Sequence, residues 1–561
     1  MKIFLKKTLK LIPFEKKKRL PFFISISLLN TLLDFISITL LVPFIILIFN
    51  KEKAENLLNK FLLIELTTSH LIIGLAGLLV FYVIKNYIQV KILKIQSKFI
   101  YSIATDLSKN LINNFLFGDF EKQVKIDKGR LIRDFQKLPV VFATHILMPL
   151  YLLLSEIFII VIVVIISFIS APILSLLAFI LIIIGTLLII LLRNKKTAFL
   201  NKAIAKSYKD SLNQMMNIFN GYIQIKSAKT ETQFKAKFND VNKKNNTYIS
   251  MLNVFKQSNI KYLEIFIISI VSFLAIYIHL NDTKVLDVVL LSFLISAIIK
   301  LIPSFNKLIT SYIEIKANQH AVDILNEYNL ISNTTENTAA FLDKIELKNI
   351  RFSYDKKNTI ISNLSFQINK GDFIAITGNS GIGKTTLLRI LSGMLLPKEG
   401  QILIDSIKSM SHQFNPFCSF VTQHSYLFHG TIIENITMLN KDSIDFDYIN
   451  NLLNKFELTD WVEKLPNKLE TKISLDSKTI SGGQKQRIAL IRALYSKPKL
   501  LLLDEATNQL DKQMEDKILS YLKALTDIGE LTVIAVSHNK NLINYAKSNF
   551  NIELNTIVNH E

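Results

Sequence analysis

Apolar residues crowd into the first 310 positions in uninterrupted runs, such as Ile157 to Ile169 and Pro172 to Leu192. About 20 such residues wound as a helix cross the hydrocarbon of a bilayer. Stretches of that length begin near Leu20, Leu71, Val140, Pro172, Ile260 and Val285, which predicts six membrane-spanning helices. Half of the 561 residues are apolar, too many for one soluble globular core of that length. The part beyond the last run reads as soluble.

Charge sets the orientation. The segments 93–137 and 193–256 are rich in lysine, whereas the turn Ser170 to Pro172 has none and His279 to Asp287 has one. The positive-inside bias therefore puts both termini and the two long connections in the cytoplasm. The formal net charge of +21 lies beside the apolar runs, so it reads as topology, and no nucleic-acid partner is expected. The single cysteine, Cys418, excludes an intrachain disulfide and fits a reducing compartment. Residues 1–19 alternate Lys2, Lys6, Lys7, Lys10, Lys16, Lys17, Lys18 and Arg19 with Ile3, Leu5, Leu9 and Ile12, the pattern of an interfacial basic helix. The apolar stretch that follows, Leu20 to Phe49, far exceeds the roughly 7 to 15 residues of a signal-peptide core.

The two long connections keep helical apolar spacing, as in Leu107, Leu111, Phe115 and Phe117, and should continue the spans below the membrane. Breaks around Gly118 to Gly129 and Ser227 to Glu231 are candidate contacts with the soluble part. A polar segment, Ser332 to Ala340, precedes a strand-like run from Phe341. The expected organisation is a basic helix at 1–19, a transmembrane part at 20–325 with cytoplasmic extensions, a linker at 326–340 and a soluble domain at 341–561. The polar stretch Asn50 to Ser69, with Leu57, Leu58, Phe61 and Leu62 in helical spacing, reads as a short external helix or a solvated loop.

The strand-like Phe373 to Thr377 runs into Gly378-Asn379-Ser380-Gly381-Ile382-Gly383-Lys384-Thr385, with a helical pattern from Thr386. This matches G-x-x-x-x-G-K-[ST], in which backbone N–H groups close round phosphates, the lysine reaches the outer ones and the hydroxyl can hold magnesium. The apolar run Leu500 to Leu503 ends in Asp504-Glu505. Asp504 suits the magnesium shell, and Glu505 is placed to polarise an attacking water. Between them, Ile480-Ser481-Gly482-Gly483-Gln484 opens a helical pattern with Ser481 as its cap, a second anion-binding surface.

This last motif resembles the signature of ABC ATPases, and the resemblance covers residues 341 to about 555. It implies an α-helical membrane domain of the exporter type fused to an α/β P-loop ATPase domain, with ATP and Mg2+ as ligands. Within it, Gln423 resembles the glutamine that touches magnesium and water, and His538 the switch histidine on the γ-phosphate. Tyr354 resembles the aromatic that stacks on adenine, and Asp511 an aspartate at the dimer seam. In such ATPases one subunit's P-loop faces the other's signature, so the resemblance implies a second copy as partner. Four features depart from the family pattern: Ile480, Asn508 with Gln509, Asn539, and Ser474-Leu475 where exporters often carry a Gly-Glu pair.

Charges within spans are costly, about 3 kcal/mol each on insertion scales. Lys85, Lys261, Lys300 and Lys307 stand in or beside them. They could line a basic cavity for an anionic cargo, or pair with Asp34, Glu156 and Glu264. The membrane part resembles bacterial flippases for lipid-linked oligosaccharides in Leu32 to Ile48, Leu152 to Phe158 and Ile299 to Leu325. That resemblance implies a polyprenyl diphosphate cargo and an inner-membrane location. Export of peptides, drugs or other lipids on the same scaffold is the alternative, and an ATP-dependent regulator of another membrane protein is a third reading.

Overall fold

The computed structural model describes residues 2–49, 68–124, 126, 128–170, 172–280, 288–329, 341–355, 359–408, 416–440, 444–473, 480–552 and 556–559. The expectations for Asn50 to Ser69 and for Ser474 to Thr479 fall almost wholly outside these residues, and of the linker expected at 326–340 only 326–329 are described, as the end of the helix Gln319–Asn329. The chain divides into two compact units, one of residues 1–112 and 128–330, the other of 113–127 and 331–561.

In the first unit the apolar runs lie on long helices: Phe14–Phe49, Thr68–Leu116, Met148–Ser170, Pro172–Asn220, Glu231–Leu280 and Val288–Ala317. Three of these extend well beyond their apolar runs. Thr68–Leu116, Pro172–Asn220 and Glu231–Leu280 have 49, 49 and 50 residues, or about 75 Å at 1.5 Å per residue against about 30 Å of hydrocarbon. Among the described residues, Phe14–Ser37, Ile72–Leu116 and Gly129–Ile165 are long and apolar enough to cross a membrane. Large side chains such as Ile72, Ile73, Leu79 and Leu192 point outward, as a lipid-facing surface requires.

The run near Val140 does not start a new helix. Lys128–Phe142 passes through a π-helical turn, Ala143–Leu147, into Met148–Ser170. This helix packs Ile159 and Val163 against Leu301, Phe305, Ile309 and Ile313, whose four-residue spacing keeps one face of Val288–Ala317 inward. The N-terminal helix Lys2–Leu11 buries Phe4, Thr8 and Leu11. It is tied to the helix Gln319–Asn329 by a Lys7–Asp323 ion pair of 2.5 Å and by Asn326 Nδ2 donating to the Lys7 carbonyl.

The second unit is built on two main sheets. Strands β1 (Lys344–Phe352), β2 (Ile361–Asn369), β4 (Glu399–Ile404) and β5 (Ile407–Lys408) form an antiparallel sheet in the order β2-β1-β4-β5. The other sheet contains β3 (Phe373–Thr377), β6 (Cys418–Val421), β9 (Leu500–Asp504), β10 (Thr532–Val536), β11 (Ser548–Asn551) and β12 (Thr556–Asn559), in the order β12-β11-β3-β10-β9-β6. A small pair, β7 (Gly430–Thr431) with β8 (Lys472–Ile473), stands apart. Strand β10 runs parallel to both β3 and β9. All three are apolar and buried along their lengths, so their carboxyl ends emerge side by side, where open α/β sheets bind ligands. Cys418 is buried on β6, and burial pushes its thiol far up.

The short helix Phe120–Val124 groups with this unit, although its sequence lies between membrane helices. Phe120 packs on the core formed by β1, β2 and the helix Lys384–Leu391, Arg389 stands over its ring, and Glu121 pairs with Lys398 at 2.9 Å.

Candidate active site

The loop after β3 turns tightly before the helix Lys384–Leu391 begins. Gly383 caps that helix at φ +111°, and a Cβ there would sit 2.7 Å from Ile360 Cγ2, so glycine is required. The Lys384 ammonium is largely buried. It donates to the carbonyls of Gly378 at 2.7 Å and Asn379 at 3.0 Å, and lies 3.1 Å from His538 Nε2.

Strand β9 delivers the carboxylates beside this loop. Thr385 Oγ1 donates to Asp504 Oδ1 at 3.0 Å. Burial, and then the charge of Glu505, hold the Asp504 carboxyl above the usual carboxylate range, against the pull of the Thr385 hydroxyl. Glu505 has φ +52°, a backbone region that costs a non-glycine residue about 1 kcal/mol or more and recurs at functional sites. Its N–H donates to the Val536 carbonyl at 3.0 Å, locking the turn onto β10. Glu505 Oε2 accepts from Gln423 Nε2 at 2.7 Å and from Asn508 Nδ2 at 3.0 Å, while Oε1 lies 4.0 Å from His538 Nε2.

Tyr354 stands beside the first turn of the loop's helix. Its hydroxyl lies 3.4 Å from Thr386 Oγ1 and accepts from Arg389 at 3.3 Å, and its ring meets Phe352 edge-on. The sequence-predicted Lys384, Thr385, Asp504, Glu505, Gln423 and His538 are thus brought together, with Tyr354 on the flank of the same helix. None of the described hydrogen bonds links Ser481, Gly482, Gly483 or Gln484 to this group. Ser481 instead starts the helix Gly482–Tyr495 with a reciprocal capping box to Gln484, and Asp511 caps Lys512–Asp527 through the Met514 N–H.

The sequence reading treated Asn508, Gln509 and Asn539 only as departures from a pattern, but each makes specific contacts. Asn508 shares Glu505 Oε2 with Gln423. The Gln509 N–H donates to Gln486 Oε1, and the Gln509 side chain lies against Gly482, where an added Cβ would meet its Oε1 at 2.9 Å. Asn539 donates to Glu515 at 2.7 Å and caps the helix Lys540–Tyr545. The position of Asn508, one turn beyond Glu505, was the available signal.

Among the lysines expected in or beside spans, Lys85 pairs with Asp34 at 2.9 Å, Lys261 with Glu264 at 3.2 Å and Lys307 with Glu156 at 2.7 Å. These are the carboxylates the sequence offered as partners for the three lysines. Lys85 also donates to Ser37 Oγ, and Gln89 donates to Asp34. Glu156 is buried, and its Oε2 has no partner among the described residues. The side chain of Lys300 lies outside the described residues.

Residues 361–508 match the family described as ABC transporter. The chain is 38% identical over 199 residues to a putative export ATP-binding/permease protein of Rickettsia bellii, covering 35% of this chain and 34% of that one. It is 35% identical over 222 residues to an ATP-dependent lipid A-core flippase of Bordetella avium, covering 39% and 37% respectively. The chain thus spans about a third of the length of these curated relatives. Against the lipoprotein-releasing system ATP-binding protein LolD of Buchnera aphidicola it is 35% identical over 235 residues, covering 97% of that protein and 39% of this chain. In fold it is similar to a bacterial Atm1-family ABC exporter with ATP bound, with TM-score 0.77 and 20% identity over 94% of this chain and 92% of the other.

Proposed function

The chain belongs to the ABC transporter family, with that family's ATPase domain in its second unit and an exporter fold overall, and from this we propose that it is a half-transporter hydrolysing ATP to drive cargo across a cell membrane. The observation that carries this reading is the convergence of Lys384, Thr385, Asp504, Glu505, Gln423 and His538 at adjoining strand ends.

The Lys384 ammonium is satisfied by neutral carbonyls of its own loop. Phosphate oxygens are stronger, charge-assisted acceptors and would displace them, while the loop's N–H groups and the helix N-terminus cradle the chain of phosphates. The Tyr354 ring supports the adenine. Glu505 accepts a proton from the water that attacks the outer phosphorus, and the bond to the leaving ADP oxygen breaks. Gln423 and Asn508 both hold Oε2, which leaves Oε1 for that proton, and His538 faces the same space. Thr385 Oγ1 and Asp504, which already meet, would hold Mg2+ together with the Gln423 amide oxygen as hard-oxygen donors, and the ion would neutralise phosphate charge.

Ser481 to Gln484 supply an anion-binding helix start that the chain's own cluster does not use. A second copy would present it to the nucleotide, so the working unit is a dimer, and a homodimer has two complete sites. By the same reading Asp511 lies at the seam, and both termini and the ATPase domain are cytoplasmic.

The finer reading is flipping of a polyprenyl diphosphate-linked oligosaccharide across a bacterial inner membrane, supported by the resemblance in Leu32 to Ile48 and Ile299 to Leu325. Export of neutral or cationic amphiphiles is favoured instead by the pairing of Lys85, Lys261 and Lys307 with carboxylates, which leaves less net positive charge for an anion. Proteoliposome assays comparing a diphosphate-linked lipid saccharide with an amphiphilic peptide decide between them. Preferential transport of the lipid, weakened by Lys307→Ala, supports the first; transport of the peptide alone would overturn it.

A further inference from the structure

The N-terminal helix Lys2–Leu11 buries Phe4, Thr8 and Leu11 and leaves its other faces uncovered. Between that helix and the start of Phe14–Phe49 lies a cavity of about 700 Å³. Ile3, Leu9, Leu20 and Ile24 line it together with Lys6, Lys10 and Lys17. Ile3 is 76% and Leu9 48% exposed, an apolar patch beside charge that an apolar group would cover.

The lysines differ in how they are used. Lys7, on the same cavity, is committed to Asp323, and Lys16 to Asp106 and Ser102. Lys6, Lys10 and Lys17 have no side-chain partner among the described residues, and no carboxylate lines the cavity. Three lysines line one cavity where basic residues give way to the first apolar turns of a membrane helix, the depth at which leaflet phosphates meet acyl chains. Charge and wall chemistry together demand a ligand with an anionic head and an apolar tail.

We propose that this cavity binds an anionic phospholipid of the cytoplasmic leaflet and that its occupancy tunes the ATPase. The link runs through Lys7–Asp323 and Asn326 to the helix Gln319–Asn329, the last described element before the ATPase strands. A lipid that draws Lys6 and Lys10 toward the leaflet also fixes the helix that holds Asp323. This proposal is independent of the cargo, because the site lies outside the paired transmembrane lysines.

The test uses full-length protein in nanodiscs of phosphatidylcholine, with phosphatidylglycerol added in steps. Phosphatidylglycerol retained by the protein is read by native mass spectrometry, and ATPase rate is read in parallel. Each lysine near an anionic surface contributes about fivefold in affinity, so K6Q/K10Q/K17Q should weaken retention on the order of a hundredfold and abolish the rate response while leaving the rate in pure phosphatidylcholine unchanged. L9N/I24N should lose retention with all lysines present, which separates a lipid cavity from diffuse attraction to a charged surface. Inorganic phosphate or a soluble glycerophosphodiester should not reproduce the response. Equal retention and equal rate response in wild type and K6Q/K10Q/K17Q would overturn the proposal. A dead ATPase in every lipid would instead count against the ATP-hydrolysing reading above.

Discussion

Gln423 and Asn508 place two amide donors on one oxygen of Glu505, whose backbone is left-handed. Glu505→Gln keeps the shape and removes the base. ATPase turnover should fall by about a hundredfold or more, while ATP binding followed by fluorescence or equilibrium dialysis persists; turnover at the wild-type rate would discard this base. Asp504 adds a pH signature. Its folded-state pKa is raised, so the folded protein holds a proton that the unfolded chain releases, and stability from this group is lost as pH rises above the ordinary carboxylate range. Asp504→Asn should therefore match or exceed wild type in Tm at neutral pH by calorimetry while losing ATPase activity. A clear drop in Tm would refute the destabilising role. The phosphate loop and the Asp504-Glu505 pair were legible in the sequence because each is a continuous segment with a local backbone requirement. Asn508 was legible only as an oddity, since the Gln423 amide that shares its Glu505 oxygen comes from the segment after β6, 82 positions from Glu505.

Among elements, Phe120–Val124 shows how a short piece can belong to a unit that its sequence neighbours do not. Phe120 packs on the ATPase core, and Lys398 holds Glu121. F120S should preserve basal ATPase in detergent but cut cargo stimulation and transport several-fold in proteoliposomes; stimulation equal to wild type would show this contact to be idle. The break near Gly118, and with it a contact with the soluble part, was readable in the sequence; the partners were not, because burial of Phe120 depends on strands more than 200 positions away. The paired lysines have the same cause. Glu156 and Lys307 are 151 residues apart, and sequence alone left pairing and cavity lining both open. The long helices were legible as apolar lengths, whereas their starts were not: polar residues extend the same helices, and Lys128–Phe142 joins the next helix without a break in the backbone.

For the molecule as a whole, the separation of Ser481 from its own chain's Lys384 group makes a composite site testable. Protein carrying Lys384→Ala and protein carrying Ser481→Arg should each be inactive as homodimers. Mixed dimers retain one intact pairing of loop and signature, so co-expression should restore vanadate-trapped nucleotide to a measurable fraction of wild type. No recovery in isolated mixed dimers would count against sharing between copies. Such experiments need reporters on moving helices, and the lone Cys418 makes them simple. Its thiol is buried, and burial also disfavours the thiolate that reacts with maleimides and nitroxide reagents. One engineered surface cysteine per protomer would thus carry essentially all the label in the native protein, giving a symmetric pair of spin probes in the dimer without first mutating the native thiol.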